Sequence, residues 1–155
     1  MQEILIQLCS AFLGSLGFAL LFNTRGRHLL PVALGGLLSW GVYLWGMSLE
    51  LGEVGAYVAA SVVLTLYSEW MAHRMKCPAT VYLVSAAIPL VPGKMLYTTM
   101  GWGIRQDWNQ FMSGVTQTLM LALAIAGGIL VAMTLLSVSR QLKAHFREGN
   151  RMENH

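Results

Sequence analysis

Charge is what this chain has least of. Asp, Glu, Lys and Arg make up 11% of its 155 residues, hydrophobic residues make up 55%, and the mean hydropathy is +0.57. A soluble domain carries about a quarter charged residues, so the composition specifies an integral membrane protein. Also missing are a glycine-rich phosphate loop, a Gly-x-Ser-x-Gly elbow and a His-Glu-x-x-His pair. Their absence removes the usual carriers of ATP hydrolysis, acyl transfer and zinc-peptidase chemistry, and the chain does not read as an enzyme. The formal charge of +3 comes from short basic clusters between apolar runs, a pattern that suits lipid and argues against nucleic acid as a partner. Cysteine is limited to Cys9 and Cys77. They fall near opposite membrane faces, so a disulfide would have to bridge about 30 Å and none is expected. His73 and Cys77 stand four apart with His28 on the same side, too loose a set for zinc; no metal and no cofactor is expected. Met1-Gln2-Glu3 lacks a basic leader region, so the first apolar stretch reads as a retained helix.

What is present is a series of long apolar runs. They cover roughly Ile4 to Phe22, Leu29 to Leu49, Val54 to Ala72, Ala79 to Ile104 and Val115 to Val138, which predicts an all-α membrane protein with five transmembrane helices. Arg25, Arg27, Arg74, Lys76, Arg140, Lys143, Arg147 and Arg151 fall on one side, while Glu50, Glu53, Lys94 and Arg105 fall on the other. Putting the basic side in the cytoplasm leaves the N-terminus outside and the C-terminus inside. Residues 1–140 then form one transmembrane domain and 141–155 a basic cytoplasmic tail. The stretch Trp102 to Trp108 is expected at headgroup level.

The fourth run contains Pro89-Leu90-Val91-Pro92-Gly93, which forbids a regular helix. Neither proline has a backbone N–H, so the carbonyls of Ser85 and Ile88 lose their helical donors, and Gly93 readily turns left-handed. Backbone of this kind survives at membrane depth where protein or a water-filled cavity covers it, and transporters place substrates at such breaks. A kink satisfied by a neighbouring helix is the structural alternative. If a helix restarts after Gly93, its amides and the positive end of its dipole suit a carboxylate, with Lys94, Tyr97 and Thr98 on one side. Alternatively, Lys94 snorkels to the headgroups.

Glu69 is the one acidic residue well inside an apolar run, and it ends a polar stripe of Ser61, Thr65 and Ser68. It fits either a site coupling export to a proton gradient or a structural partner for Arg74 or His73. Ser113, Thr116 and Gln117 share a face at the start of the last run, suited to bonds between helices or to lining a substrate path. Ser10 with Gly14, and Gly35 with Ser39, allow close helix packing. Asn23 caps the first helix or lines a vestibule.

The stretch Gly17-Phe18-Ala19-Leu20-Leu21-Phe22-Asn23, together with Ala87-Ile88-Pro89-Leu90-Val91-Pro92-Gly93 and Tyr97-Thr98, resembles the threonine/serine exporter family. More narrowly, it resembles the short five-helix subunit of the split form, equivalent to the C-terminal half of the single-chain exporters. The resemblance covers about Ser10 to Ser137. It implies a multi-pass protein of the bacterial inner membrane that exports threonine and serine, or small carboxylates such as succinate, with a larger partner subunit. On the residue readings above, the functional expectation is substrate contacts at Pro89, Pro92, Gly93, Lys94, Tyr97, Thr98 and Gln117, and coupling at Glu69. Lys94 departs from the family pattern, where an uncharged residue follows Pro-Gly, so no family role passes to it. A membrane scaffold that does not transport is the competing function.

Overall fold

The computed structural model describes residues 2–152, with side chains described for residues 2–141. The described residues are helical throughout, without strands. Helix α1 spans Gln2–Leu21, and a single 3-10 turn at Gly26–His28 leads into α2, Leu29–Ser48. Helix α3 is Gly52–Met75, α4 is Ala79–Ala86, α5 is Gly93–Ile104 and α6 is Trp108–Met152. Four segments are long and apolar enough to cross a membrane: Gln2–Leu21, Gly26–Ser48, Gly52–Met75 and Trp108–Gln141. Ala79–Leu90 and Gly93–Ile104 meet at a bend of 52° and qualify together as a fifth.

Contacts between α3 and α6 decide how that bent pair runs. Glu53 on α3 meets Gln117 on α6, Ser61 meets Gly128, and Glu69 meets Arg140. Both sets of numbers increase together, so the two helices are parallel. The chain between them must therefore return across the layer once, and α4 and α5 form one discontinuous crossing.

The core centres on α3, where Tyr57, Ala60 and Leu64 pack with Tyr82, Leu90 and Leu121 from the elements around it. Small residues let the helices approach. A Cβ added at Gly36 would lie 1.8 Å from Ser15 Oγ, and one at Gly128 would lie 2.0 Å from Ser61 Oγ and 2.8 Å from the Val58 carbonyl oxygen. Only glycine fits at either crossing, as expected where apolar lipid gives helices no hydrophobic reason to associate. Gly35 also packs closely, against Tyr67 and Ala86. The expected Ser10–Gly14 contact does not form: Gly14 has open space around it, and both residues line a cavity instead.

Helices α1, α2, α3 and α5 end in the same way, with a left-handed residue that is not glycine. Asn23, Glu50, Lys76 and Gln106 have φ of 58°, 56°, 54° and 58°. After α1, Asn23 N–H donates to Leu20 O and Thr24 N–H donates to Ala19 O, at 3.0 and 2.9 Å. These two bonds satisfy carbonyls the helix would otherwise leave open, so Asn23 is a cap. At the other end of the chain, α6 continues through Gln141 to Met152, where the polar tail was expected. Side chains from 142 onward, Lys143, Arg147 and Arg151 included, lie outside the described residues. Trp102 belongs to α5, its ring close to Gly114 of α6, and a turn at Arg105–Asp107 leads to Trp108, the first residue of α6.

Candidate functional site

The break is built from hydrogen bonds that replace those the prolines remove. Ile88–Leu90 form a 3-10 turn in which Val91 N–H donates to Ile88 O at 3.1 Å, recovering one of the two carbonyls expected to be orphaned. Ser39 of α2 donates its hydroxyl to Gly36 O at 2.9 Å and also lies 3.4 Å from Ala86 O in the preceding turn. Gly93 is helical, not left-handed. The reversal falls one residue earlier, at Pro92 (φ −74°, ψ 57°), an inverse γ-turn closed by Gly93 N–H donating to Val91 O at 2.7 Å. Proline's fixed φ is already suited to that turn, so Gly93 has no need of a positive φ. Leu96 N–H starts the next helix by donating to Pro92 O, and no side chain caps the amides before it.

Beside this restart lies a cavity of about 350 Å³, lined by Val91, Pro92, Gly93, Lys94, Met95 and Thr98 from the break, Trp40 and Tyr43 from α2, Glu53 and Tyr57 from α3, and Leu121 from α6. It is within the size range of small-molecule sites. Its back wall is an aromatic ladder: Trp40 to Tyr43 and Tyr43 to Tyr57 each have ring centroids 4.8 Å apart. The Glu53 carboxylate enters from the first turn of α3, and Gln117 Nε2 of α6 donates to its Oε2 at 3.0 Å. Lys94 and Glu53 line the same cavity, yet both ion pairs among the described residues belong to Glu69. A basic and an acidic residue thus line one cavity with no ion pair between them.

Of the residues expected to bind substrate, Pro92, Gly93, Lys94 and Thr98 come together in this cavity. Gln117 stands behind Glu53 rather than in the lining. Pro89 lies on the far side of the break, in a second cavity of about 340 Å³ with Ile6, Gln7, Ser10, Ala11, Gly14, Trp40 and Ile88. Tyr97 is 81% exposed and outside both cavities. The inner arc of α5 runs through Met95, Thr98 and Thr99, and Tyr97, one position away, is rotated about 100° off it. The Thr98 hydroxyl donates back to its own helix, with Lys94 O at 3.0 Å and Met95 O at 3.1 Å.

Sequence reasoning passed over Glu53, taken as a loop charge that sets orientation, and the aromatics Trp40, Tyr43 and Tyr57. The usable signal was spacing: Glu53 and Tyr57 are four apart, and Trp40 and Tyr43 three apart, so each pair shares a helix face.

At the other end of the α3–α6 pair, Glu69 accepts a hydrogen bond from Arg140 Nη2. His73 Nδ1 is 3.8 Å from the same carboxylate. Arg74, the expected alternative, lies over the Trp70 ring at 5.3 Å instead. The reason is geometric: a residue five positions along a helix points about 140° away. Ser61, Thr65 and Ser68 are buried against protein, with the first two hydroxyls bonded to carbonyls of α3 itself. Nearby, the Cys77 thiol donates to Tyr82 Oη at 3.4 Å, and the Tyr82 hydroxyl shares a 2.7 Å hydrogen bond with His28 Nδ1, tying α4 to the start of α2. Among the described residues no three His, Cys, Asp or Glu side chains gather as a metal site would require.

No solved structure matches the chain. A family model described as "Threonine/Serine exporter, ThrE" matches residues 7–135, which take in the greater part of each crossing and every residue that lines the charged cavity. A multi-pass helical membrane protein with a discontinuous fourth crossing beside a charged cavity, matched over most of its length, this chain belongs to the threonine/serine exporter family.

Proposed function

We propose that the chain is the short subunit of a two-chain secondary exporter in the bacterial inner membrane, and that its cavity holds the backbone of a small zwitterionic amino acid such as threonine or serine. One observation carries this reading: Glu53 and Lys94 line one cavity without pairing to each other. Glu53 suits an α-ammonium group. Lys94 and the uncapped amides at the start of α5 suit an α-carboxylate, since a helix N-terminus favours anions. The same charges favour an amino acid over succinate, whose second carboxylate would face Glu53. Tyr43 and Tyr57 place hydroxyl groups in the lining for a polar side chain.

In the orientation that keeps basic clusters in the cytoplasm, the cavity lies in the outer half of the layer. Five crossings starting outside complement a preceding five-crossing half that starts inside, the inverted arrangement that puts a substrate site at a repeat interface. That is the reason for a larger partner subunit. Glu69, tied to Arg140, is read as a structural link between α3 and α6.

The test is efflux of labelled threonine, serine and succinate from loaded cells expressing this chain alone, the larger subunit alone, or both. Efflux of threonine and serine only with both chains, reduced at least tenfold by Glu53→Gln, is the expected result. Equal efflux of all three compounds without this chain would sink the proposal and leave a scaffold as the better reading.

A further inference from the structure

Two cavities flank the break. The charged one lies on the side of Val91–Thr98 and the largely apolar one on the side of Ile88 and Pro89. Trp40 lines both. We infer that its indole is the partition between them and that it sets the largest substrate side chain the exporter accepts. This rests on the reading of the charged cavity as the amino-acid site.

The partition is held from several directions. Trp40 Nε1–H donates to Gln7 Oε1 of α1 at 3.3 Å, and the ring packs at a tilt of 32° against Tyr43, which packs at 47° against Tyr57. An indole held by its N–H and by a neighbouring ring cannot swing aside without losing a hydrogen bond and an aromatic contact. Behind it, about 340 Å³ of space is lined mainly by Ile6, Ala11, Gly14, Ile88 and Pro89, ample and apolar enough for a branched aliphatic or aromatic side chain. A substrate whose ammonium sits at Glu53 and whose carboxylate sits near Lys94 meets Trp40 with its side chain. Threonine and serine carry short side chains, whereas leucine and phenylalanine extend further from the charged end of the cavity, toward the wall and the space beyond it. Each methylene admitted or refused by an apolar pocket changes selectivity by about 10- to 200-fold.

The experiment measures efflux of labelled threonine, leucine and phenylalanine from cells carrying the full chain with the larger subunit, for wild type, Trp40→Ala, Trp40→Phe and Glu53→Gln. The readout is the leucine-to-threonine rate ratio, which does not depend on how much protein reaches the membrane. It should rise at least about tenfold in Trp40→Ala, with phenylalanine also released. Trp40→Phe keeps a ring against Tyr43 but opens part of the wall, so it should admit leucine and not phenylalanine, and it decides the matter if the alanine variant fails to insert. A wild-type ratio in whichever Trp40 variants insert overturns the partition. Threonine efflux untouched by Glu53→Gln overturns instead the cavity reading beneath it, so the two failures are told apart.

Discussion

Two adjacent glycines on α6 provide a stringent test of how α3 and α6 pack. At Gly128 an added Cβ lies 2.0 Å from Ser61 Oγ and 2.8 Å from the Val58 carbonyl oxygen, whereas at Gly127 nothing lies within 4 Å. Ser61 cannot yield cheaply: it is fully buried, and its hydroxyl donates to Val58 O at 2.9 Å. Gly128→Ala must therefore push the helices apart, an overpacking that costs about 1–3 kcal/mol. Gly127→Ala meets no obstacle and gains the helix preference of alanine, roughly 0.5–1 kcal/mol. The two variants, identical in composition, should differ by about 1.5–4 kcal/mol. Thermal unfolding of the detergent-solubilised protein, with intrinsic tryptophan fluorescence as the probe, would measure this. Adding Ser61→Ala to Gly128→Ala should recover part of the loss, the remainder reflecting the Val58 carbonyl. Equal stability of the two single variants would refute the close approach, and with it the parallel register that fixes α4 and α5 as one crossing.

Replacing both Pro89 and Pro92 by Ala restores the missing amide donors and removes the γ-turn; efflux should fall at least tenfold while membrane levels hold, and wild-type efflux would separate the break from function. Glu69→Gln leaves Arg140, which is about half exposed, without its carboxylate, so stability should fall by about 1 kcal/mol, the upper end for solvent-accessible ion pairs. Efflux by Glu69→Gln should stay within about twofold of wild type, and its abolition in a protein of normal stability would make Glu69 a coupling residue. Gln106→Gly relieves a left-handed residue (φ 58°) at the end of α5 and should raise stability by roughly 1 kcal/mol; a loss of stability would show that the Gln106 side chain matters more than its backbone.

The parts of this fold written locally were the legible ones. Long apolar runs announce crossings, and Pro89 and Pro92 announce a break, because each follows from a few adjacent residues. The helix ends at Asn23, Glu50, Lys76 and Gln106 were harder, since a left-handed cap usually shows itself as glycine and none of these is one. The site was half visible. Pro92, Gly93, Lys94 and Thr98 are neighbours in sequence and in space, whereas Glu53 acquires its place only when Gln117, on another helix, comes to meet it. Among the partners of Glu69, His73 was legible one helical turn away, whereas Arg74 is close in sequence but turned away on its helix, and Arg140 arrives only through the parallel register of α6.

That register has a consequence for how the protein is made. Helix α3 carries a carboxylate near each end, and both partners, Gln117 and Arg140, reside on the helix synthesised last of the six. Until α6 inserts, Glu53 and Glu69 have no side chain on α6 to hold them, and the buried face of α3, with Ser61, Thr65 and Ser68, lacks its cover. The final crossing is therefore the closing act of assembly: a chain that stalls before Trp108 keeps a polar stripe turned toward lipid, a chemical mark that distinguishes the unfinished protein from the finished one.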